Sequence, residues 1–329
     1  MKFNDKRWIK PGIFAAVCCM AIAPKGLCQN VGPQPSEKRE VVFIVSVTND
    51  RGFPIKGLKP EHFKITSDKK TQQIKRFSDQ DEALSVAFLI DTSGSMGGGK
   101  NGVSRLRYII GNIENFLQTG NEENEYAVLS FNNKVNRILD WTKDKKVAAH
   151  SLEGLAFQPT NGQTALYDAC RQGLEMMRHG GNRKRVMIVL SDGGQDNASE
   201  EARYSKLKQE ARASNTLIYS ISLGGQPALP ALPALMDRQG QDALDDLAKQ
   251  TGGWPFIPGN QFELNASFEL LAILLRNQYV IELDANPQPR DGKWRPVKIE
   301  VKLPPNAPSE LKYPKVRHRA GYFDGPERQ

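Results

Sequence analysis

The sequence predicts an α/β protein: a doubly wound, mostly parallel sheet with a small accessory β-sandwich built from the N- and C-terminal flanks. Three observations carry this expectation. From Ser85 onward, short apolar runs at 86–90, 127–131, 186–190 and 217–222 alternate with stretches of helical apolar spacing, the pattern of βαβ units. Val103, Leu106, Ile109, Ile110, Ile113, Phe116 and Leu117 form one apolar stripe at helical period, and Leu244, Leu247 and Ala248 form another before Gly252 and Gly253. On both sides of this region the chain turns to short β-rich segments.

At the N-terminus, Lys2, Lys6, Arg7 and Lys10 precede an apolar run at 12–23, the layout of a secretory signal and too short to span a bilayer comfortably. Residues 1–28 are therefore expected to be a signal peptide, cut after Cys28 or after the small residues Ala21 and Ala23. The protein would then be secreted or periplasmic, with membrane association only if the signal stays uncleaved. Residues 29–83 hold a Pro-containing linker and a β segment, with a strand at 41–48 and a hairpin of 63–66 with 73–77 around the turn 67–70. The main domain is expected over 84–281, where Asn132-Asn133 makes a tight hairpin into one antiparallel edge strand. Residues 282–329 form a C-terminal β segment that pairs with the N-terminal one. A helix after the last parallel strand runs back to the edge where the first strand starts, so both flanks emerge there together. Pro-Ala-Leu recurs three times over 227–235, too rich in proline for a helix, and reads as a surface loop or partner contact.

The formal charge of +8 includes five Lys or Arg and one Asp in residues 1–28, and falls to +4 without them. No basic stripe with interleaved aromatics is present, so nucleic acid is not an expected partner. Three of the four cysteines leave with the signal, so no intrachain disulfide is available to the remainder. Cys170 shares a helical face with Leu166, Ala169, Gly173, Leu174 and Met177, and is read as a buried packing residue.

The chemistry gathers at the ends of the predicted strands. The run 86–90 ends in Asp91-Thr92-Ser93-Gly94-Ser95, one carboxylate and two hydroxyls on one loop, with Gly94 supplying backbone freedom to turn. Asp192 follows the strand at 186–190, and Thr164 opens a predicted helix, where its alternative role is an N-cap. Ligands of open α/β sheets collect at the carboxyl edge where strand order reverses. Asp91, Ser93, Ser95, Thr164 and Asp192 are hard oxygen donors that suit Mg²⁺ or Mn²⁺ rather than zinc.

In this order, Asp91-x-Ser93-x-Ser95, the Thr164 loop and Asp192-Gly193 resemble the metal-ion-dependent adhesion site of von Willebrand factor type A domains, over about residues 84–281. The flanks, with Gly321-Tyr322-Phe323, also look like those of secreted bacterial proteins with a related domain. The resemblance implies a Rossmann-like fold and a non-enzymatic protein-binding module for adhesion or assembly. It also implies that Ser93, Ser95 and Thr164 are direct ligands, with Asp91 and Asp192 holding the ion directly or through water. The partner would be a protein offering an Asp or Glu carboxylate to an open coordination position, with no small-molecule substrate. Gln163 stands where many members carry a second glycine, and the glycine-rich stretch 97–102 is long, which bears on loop conformation and affinity. Rival readings are a metal-dependent hydrolase or NTPase and a scaffold whose metal only stabilises loops. The stretch 94–101 nearly matches a phosphate-binding loop, but Asn101 lacks the hydroxyl such a loop needs.

Overall fold

The computed structural model describes residues 40–96, 105–157, 160–193, 200–223, 238–284, 292–303, 311 and 313–324. The expected signal segment 1–28, the linker up to residue 38, the glycine stretch 97–102, Val103 and the Pro-Ala-Leu repeat at 227–235 lie outside the described residues. Among the described residues no helix is long and apolar enough to cross a membrane.

The chain enters through β1 (Glu40–Thr48), then β2 (Phe63–Ser67), β3 (Lys70–Gln72) and β4 (Ile74–Ser78). Asp68 and Lys69 take positive φ angles of 47° and 62°, which lets a two-residue turn join β2 to β3. The expected hairpin is therefore shorter than its sequence pattern, because 73–77 does not continue it. Past Gln73 the chain crosses to a second sheet, where β4 pairs with β11 (Tyr279–Asp284). That crossing brings Phe77 against Phe63 and Tyr279, with ring centroids 5.4 and 5.5 Å apart, so burial of an aromatic outweighs a longer hairpin.

The central sheet follows. β5 (Leu84–Asp91), β6 (Glu125–Phe131), β8 (Lys184–Ser191), β9 (Thr216–Ser222) and the short β10 (Pro255–Phe256) run parallel, and β7 (Val135–Thr142) is the antiparallel edge expected beside the Asn132 hairpin. The spatial order is β10-β9-β8-β5-β6-β7. From β5 the chain builds outward in one direction, then returns to lay β8 on the other side, so the order reverses between β5 and β8.

Helices α1 (Arg105–Thr119), α2 (Lys145–Ala156) and α6 (Gln261–Arg276) cover one face, where Phe88, Leu106, Ile113, Leu152 and Leu271 share one core. On the opposite face α3 (Leu166–Met177), α4 (Glu200–Ala213) and α5 (Arg238–Thr251) close a second core around Leu89, Cys170, Met187 and Leu247. The stripe read from the sequence is the buried face of α1 from Leu106 to Leu117. Helix α4 carries no comparable stripe: Leu207 and Ala211 are its buried apolar residues, and its charged remainder hides the helical period.

The flanks meet in two four-stranded antiparallel sheets, β13-β1-β11-β4 and β14-β12-β2-β3, where β12 is Lys293–Val301, β13 Lys315–Arg317 and β14 Gly321–Asp324. Phe43, Val45, Ile65, Ile281 and Ile299 fill the space between them. Strands from both ends of the chain are thus needed to close either sheet. This sandwich joins the edge of the central sheet where the parallel strands begin. There the Arg183 guanidinium, just before β8, lies 3.2 Å from the buried Glu282 carboxylate of β11. Lys184 donates its buried amine to the Leu275 carbonyl at the end of α6, 2.7 Å away.

Candidate metal site

Asp91 ends β5 and is fully buried. Its Oδ1 accepts the Ser93 amide at 2.9 Å, and its Oδ2 accepts the Ser191 hydroxyl from neighbouring β8 at 2.6 Å. The next residues form a 3-10 turn, Gly94–Met96, in which the Met96 amide donates to the Ser93 carbonyl at 3.1 Å. Met96 is fully buried and anchors the turn, which leaves Ser95 exposed and places its Oγ 3.1 Å from that of Ser93. Gly94 is not among the positive-φ glycines, so the backbone freedom expected of it is not used.

Thr164 lies on a second loop that is bonded to the first. The Asn161 amide donates to the Thr92 carbonyl at 3.3 Å, and the Gly94 amide to the Gly162 carbonyl at 3.1 Å. Gly162 supplies the left-handed turn at φ +80°, and the Gln163 amide donates to the Asn133 side-chain oxygen. Gly162 thus supplies the loop's left-handed residue, and Gln163, where many members carry a second glycine, contributes its amide to the bond with Asn133. The alternative role for Thr164 is absent: the N-cap of α3 is Ala165, without a side-chain cap, and Thr164 is buried beside it.

Asp192 sits immediately past β8 and is mostly buried. Gly193 turns the chain at φ +84° and its amide donates to Ser191 Oγ at 3.1 Å, so one hydroxyl ties the Asp192 loop to Asp91. A Cβ added at Gly240 in α5 would overlap the Gly193 carbonyl, so the helix packs directly on this loop. The sequence reading missed Ser191. The pleat could have found it: side chains alternate along β8, which puts Ser191 on the same sheet face as Asp91.

Burial pushes the Asp91 carboxyl up to about 6. Hydrogen bonds from Ser191 and Ser93 pull it the other way, and the negative charge of Asp192 adds to the rise. The pocket thus holds an acid whose ionised form the protein itself stabilises poorly. Among the described residues no three His, Cys, Asp or Glu side chains gather as a metal-holding group, so any cation here would rely on hydroxyls beside Asp91 and Asp192. That oxygen-only set fits a hard divalent ion and not a soft one.

The other chemistries read from the sequence fare differently. Two amides of the supposed phosphate loop, those of Gly94 and Met96, already donate to Gly162 and Ser93 carbonyls and are not presented to a phosphate. Cys170 is a free, fully buried thiol that burial pushes up to about 12, so it packs and does not react.

A family model described as von Willebrand factor type A domain matches residues 86–195, which run from β5 past Asp192. No curated protein matches the sequence. Among solved structures, a mutant of the PilB minor pilin from Streptococcus sanguinis is 11% identical, with a TM-score of 0.50 over 75% of this chain and 80% of that one. The von Willebrand domain of the type V pili tip protein Mfa5 from Porphyromonas gingivalis is 14% identical, covering 58% and 94% of the two chains, with a TM-score of 0.44. Proximal thread matrix protein 1 from the mussel byssus, with a zinc-occupied metal-ion-dependent adhesion motif, is 17% identical over 65% and 50%, with a TM-score of 0.47. The family match covers the strand that ends in Asp91 and the strand before Asp192, so residues 86–195 are similar to a von Willebrand factor type A domain.

Proposed function

We propose that this chain is an extracytoplasmic, divalent-metal-dependent protein-binding module with no catalytic role. Asp91, Ser93, Ser95, Thr164 and Asp192 would hold Mg²⁺ or Mn²⁺, and the bound ion would supply a hard Lewis acid able to take an oxygen of a partner's Asp or Glu carboxylate. The observation that carries this reading is the fully buried Asp91 carboxylate, held among the described residues by neutral donors at 2.6 and 2.9 Å and sharing its surroundings with Asp192. A carboxylate buried without a cationic partner is costly, and it persists where something outside the chain offsets that cost. Both oxygens of Asp91 are engaged by fixed donors, which suits a positioned anion and not a base that must trade protons with a substrate. The exposed Ser95 marks the side from which a partner would arrive. The basic, then apolar N-terminus supports a location outside the cytoplasm.

Calorimetric titration of Mg²⁺ and Mn²⁺ into wild type and Asp91→Ala tests the site, and partner capture with and without chelator tests its use. We expect heat of binding in wild type alone, and capture that is lost on chelation. Equal binding by both proteins would refute the site, and capture indifferent to chelator would leave the ion a stabiliser of loops.

A further inference from the structure

We infer that the partner of this site is a protein segment that pairs its metal-directed carboxylate with aromatic or aliphatic side chains flanked by further acidic residues. This rests on the proposed function and adds the chemistry of the partner. Eight large apolar side chains stay exposed among the described residues, and four of them, Tyr108, Phe157, Ile257 and Phe262, stand at the end of the domain where Asp91 lies. The topology puts them there. Helices α1 and α6 start at the carboxyl edge and run away from it, with Tyr108 and Phe262 in their first turns. α2 follows the antiparallel β7 and rises to that edge, ending at Phe157. Ile257 follows β10, whose Phe256 is level with Ile221 of β9.

Tyr108, Phe157 and Phe262 are tied to one another's neighbourhood by described contacts. The Asn112 side chain of α1 donates to that of Asn265 in α6 at 2.8 Å. Tyr108 and Phe262 each lie one turn nearer the carboxyl edge than this joined pair, so they stand side by side on neighbouring helices. At the other flank the Arg107 guanidinium lies over the Phe157 ring, 4.9 Å from its centre. The strip connects directly to the site, because Arg105 Nη1 is 3.5 Å from the Ser95 carbonyl oxygen.

Charge selects the occupant. Among the described residues neither Arg105 nor Arg107 has a carboxylate within ion-pair distance, so two guanidinium groups remain to be neutralised beside an apolar strip. A partner rich in Lys or Arg would meet repulsion there, whereas Asp or Glu would pair with the guanidinium forks as its apolar side chains cover the rings. Phe262 at 82% and Phe157 at 74% exposure have most of their surface still to bury.

The test uses the full chain in Mg²⁺ buffer and four labelled synthetic peptides, each with one central Asp: acidic-aromatic, basic-aromatic, acidic with no apolar residue, and aromatic with no further charge. Anionic phosphatidylglycerol vesicles form a fifth arm. We expect the acidic-aromatic peptide to bind most tightly. The variant Arg107→Glu should weaken it about fivefold, and Phe157→Ser with Phe262→Ser should weaken it at least about tenfold, both at unchanged Mg²⁺ affinity and melting temperature. Preference for the basic-aromatic peptide, indifference to the arginine variant, or vesicle binding that exceeds peptide binding would overturn the inference. Loss of Mg²⁺ binding in wild type would instead refute the site itself, so the two failures are distinguishable.

Discussion

Buried charge occurs at both ends of the central sheet, and the two ends treat it differently. Where the strands begin, the Glu282 carboxylate is ringed by Arg183 at 3.2 Å, Lys75 at 3.5 Å and Arg76 at 3.9 Å. Lys184, also buried, donates to the last turn of α6, where helix carbonyls favour a cation. Where the strands end, Asp91 has hydroxyl and amide donors, and among the described residues the charge that acts on it is the like charge of Asp192. At the first end the chain's own cations surround the carboxylate, and this joint fastens the sandwich to the domain. The second is an assembly of oxygens around a buried carboxylate, which the proposed function assigns to an external cation. Burial alone therefore does not identify a functional site; the sign and origin of the partners do.

The largest effect that would break this comparison is charge reversal at the joint. Glu282→Arg places a fourth cation among Lys75, Arg76 and Arg183 and should cost about 4 kcal/mol in urea unfolding. A loss below about 1 kcal/mol would show that the joint is not held by this carboxylate.

Lys184 gives the next effect. Burial pulls its amine down to about 8 from 10.5, so between those values the unfolded chain binds the proton more readily than the folded one. Stability contributed by this group therefore rises with pH across that window, by about 3 kcal/mol in total. Lys184→Met should remove the slope, as unfolding midpoints measured at both ends of the window would show.

At the site end, Gly240→Ala forces a Cβ against the Gly193 carbonyl and shifts the Asp192 loop. Mg²⁺ affinity should fall about tenfold, at a cost of about 1–2 kcal/mol in stability measured with chelator present. Equal affinity in wild type and variant would mean that the Asp192 loop does not shape the site.

The comparison also explains what the sequence could disclose. The parallel strands were legible because runs such as 186–190 are apolar throughout, which only a sheet covered on both faces requires. Asp91, Ser93, Ser95, Thr164 and Asp192 were legible as candidates because each falls at a strand end or helix start, and the fold brings their three loops together through Thr92, Gly94 and Ser191. The joint was not legible: Arg183, Lys184 and Glu282 are about a hundred residues apart or set among charged neighbours, and a lone charge in sequence does not announce its burial. The split of the expected hairpin at Gln73 was hidden for a related reason, since Phe77 alternates correctly for either sheet. α4 was missed because its few buried residues leave no stripe.

The smallest stability effect bears on the central claim. Asp91→Asn removes a buried charge whose proton affinity is raised in the folded state, so at neutral pH the chelated variant should be more stable than wild type by about 1 kcal/mol. The direct measurement is the melting temperature of both proteins in chelator and in saturating Mg²⁺. The account predicts that Mg²⁺ raises the wild-type value and leaves Asp91→Asn where it was. An equal rise in both, or none in wild type, would contradict a cation site built on Asp91.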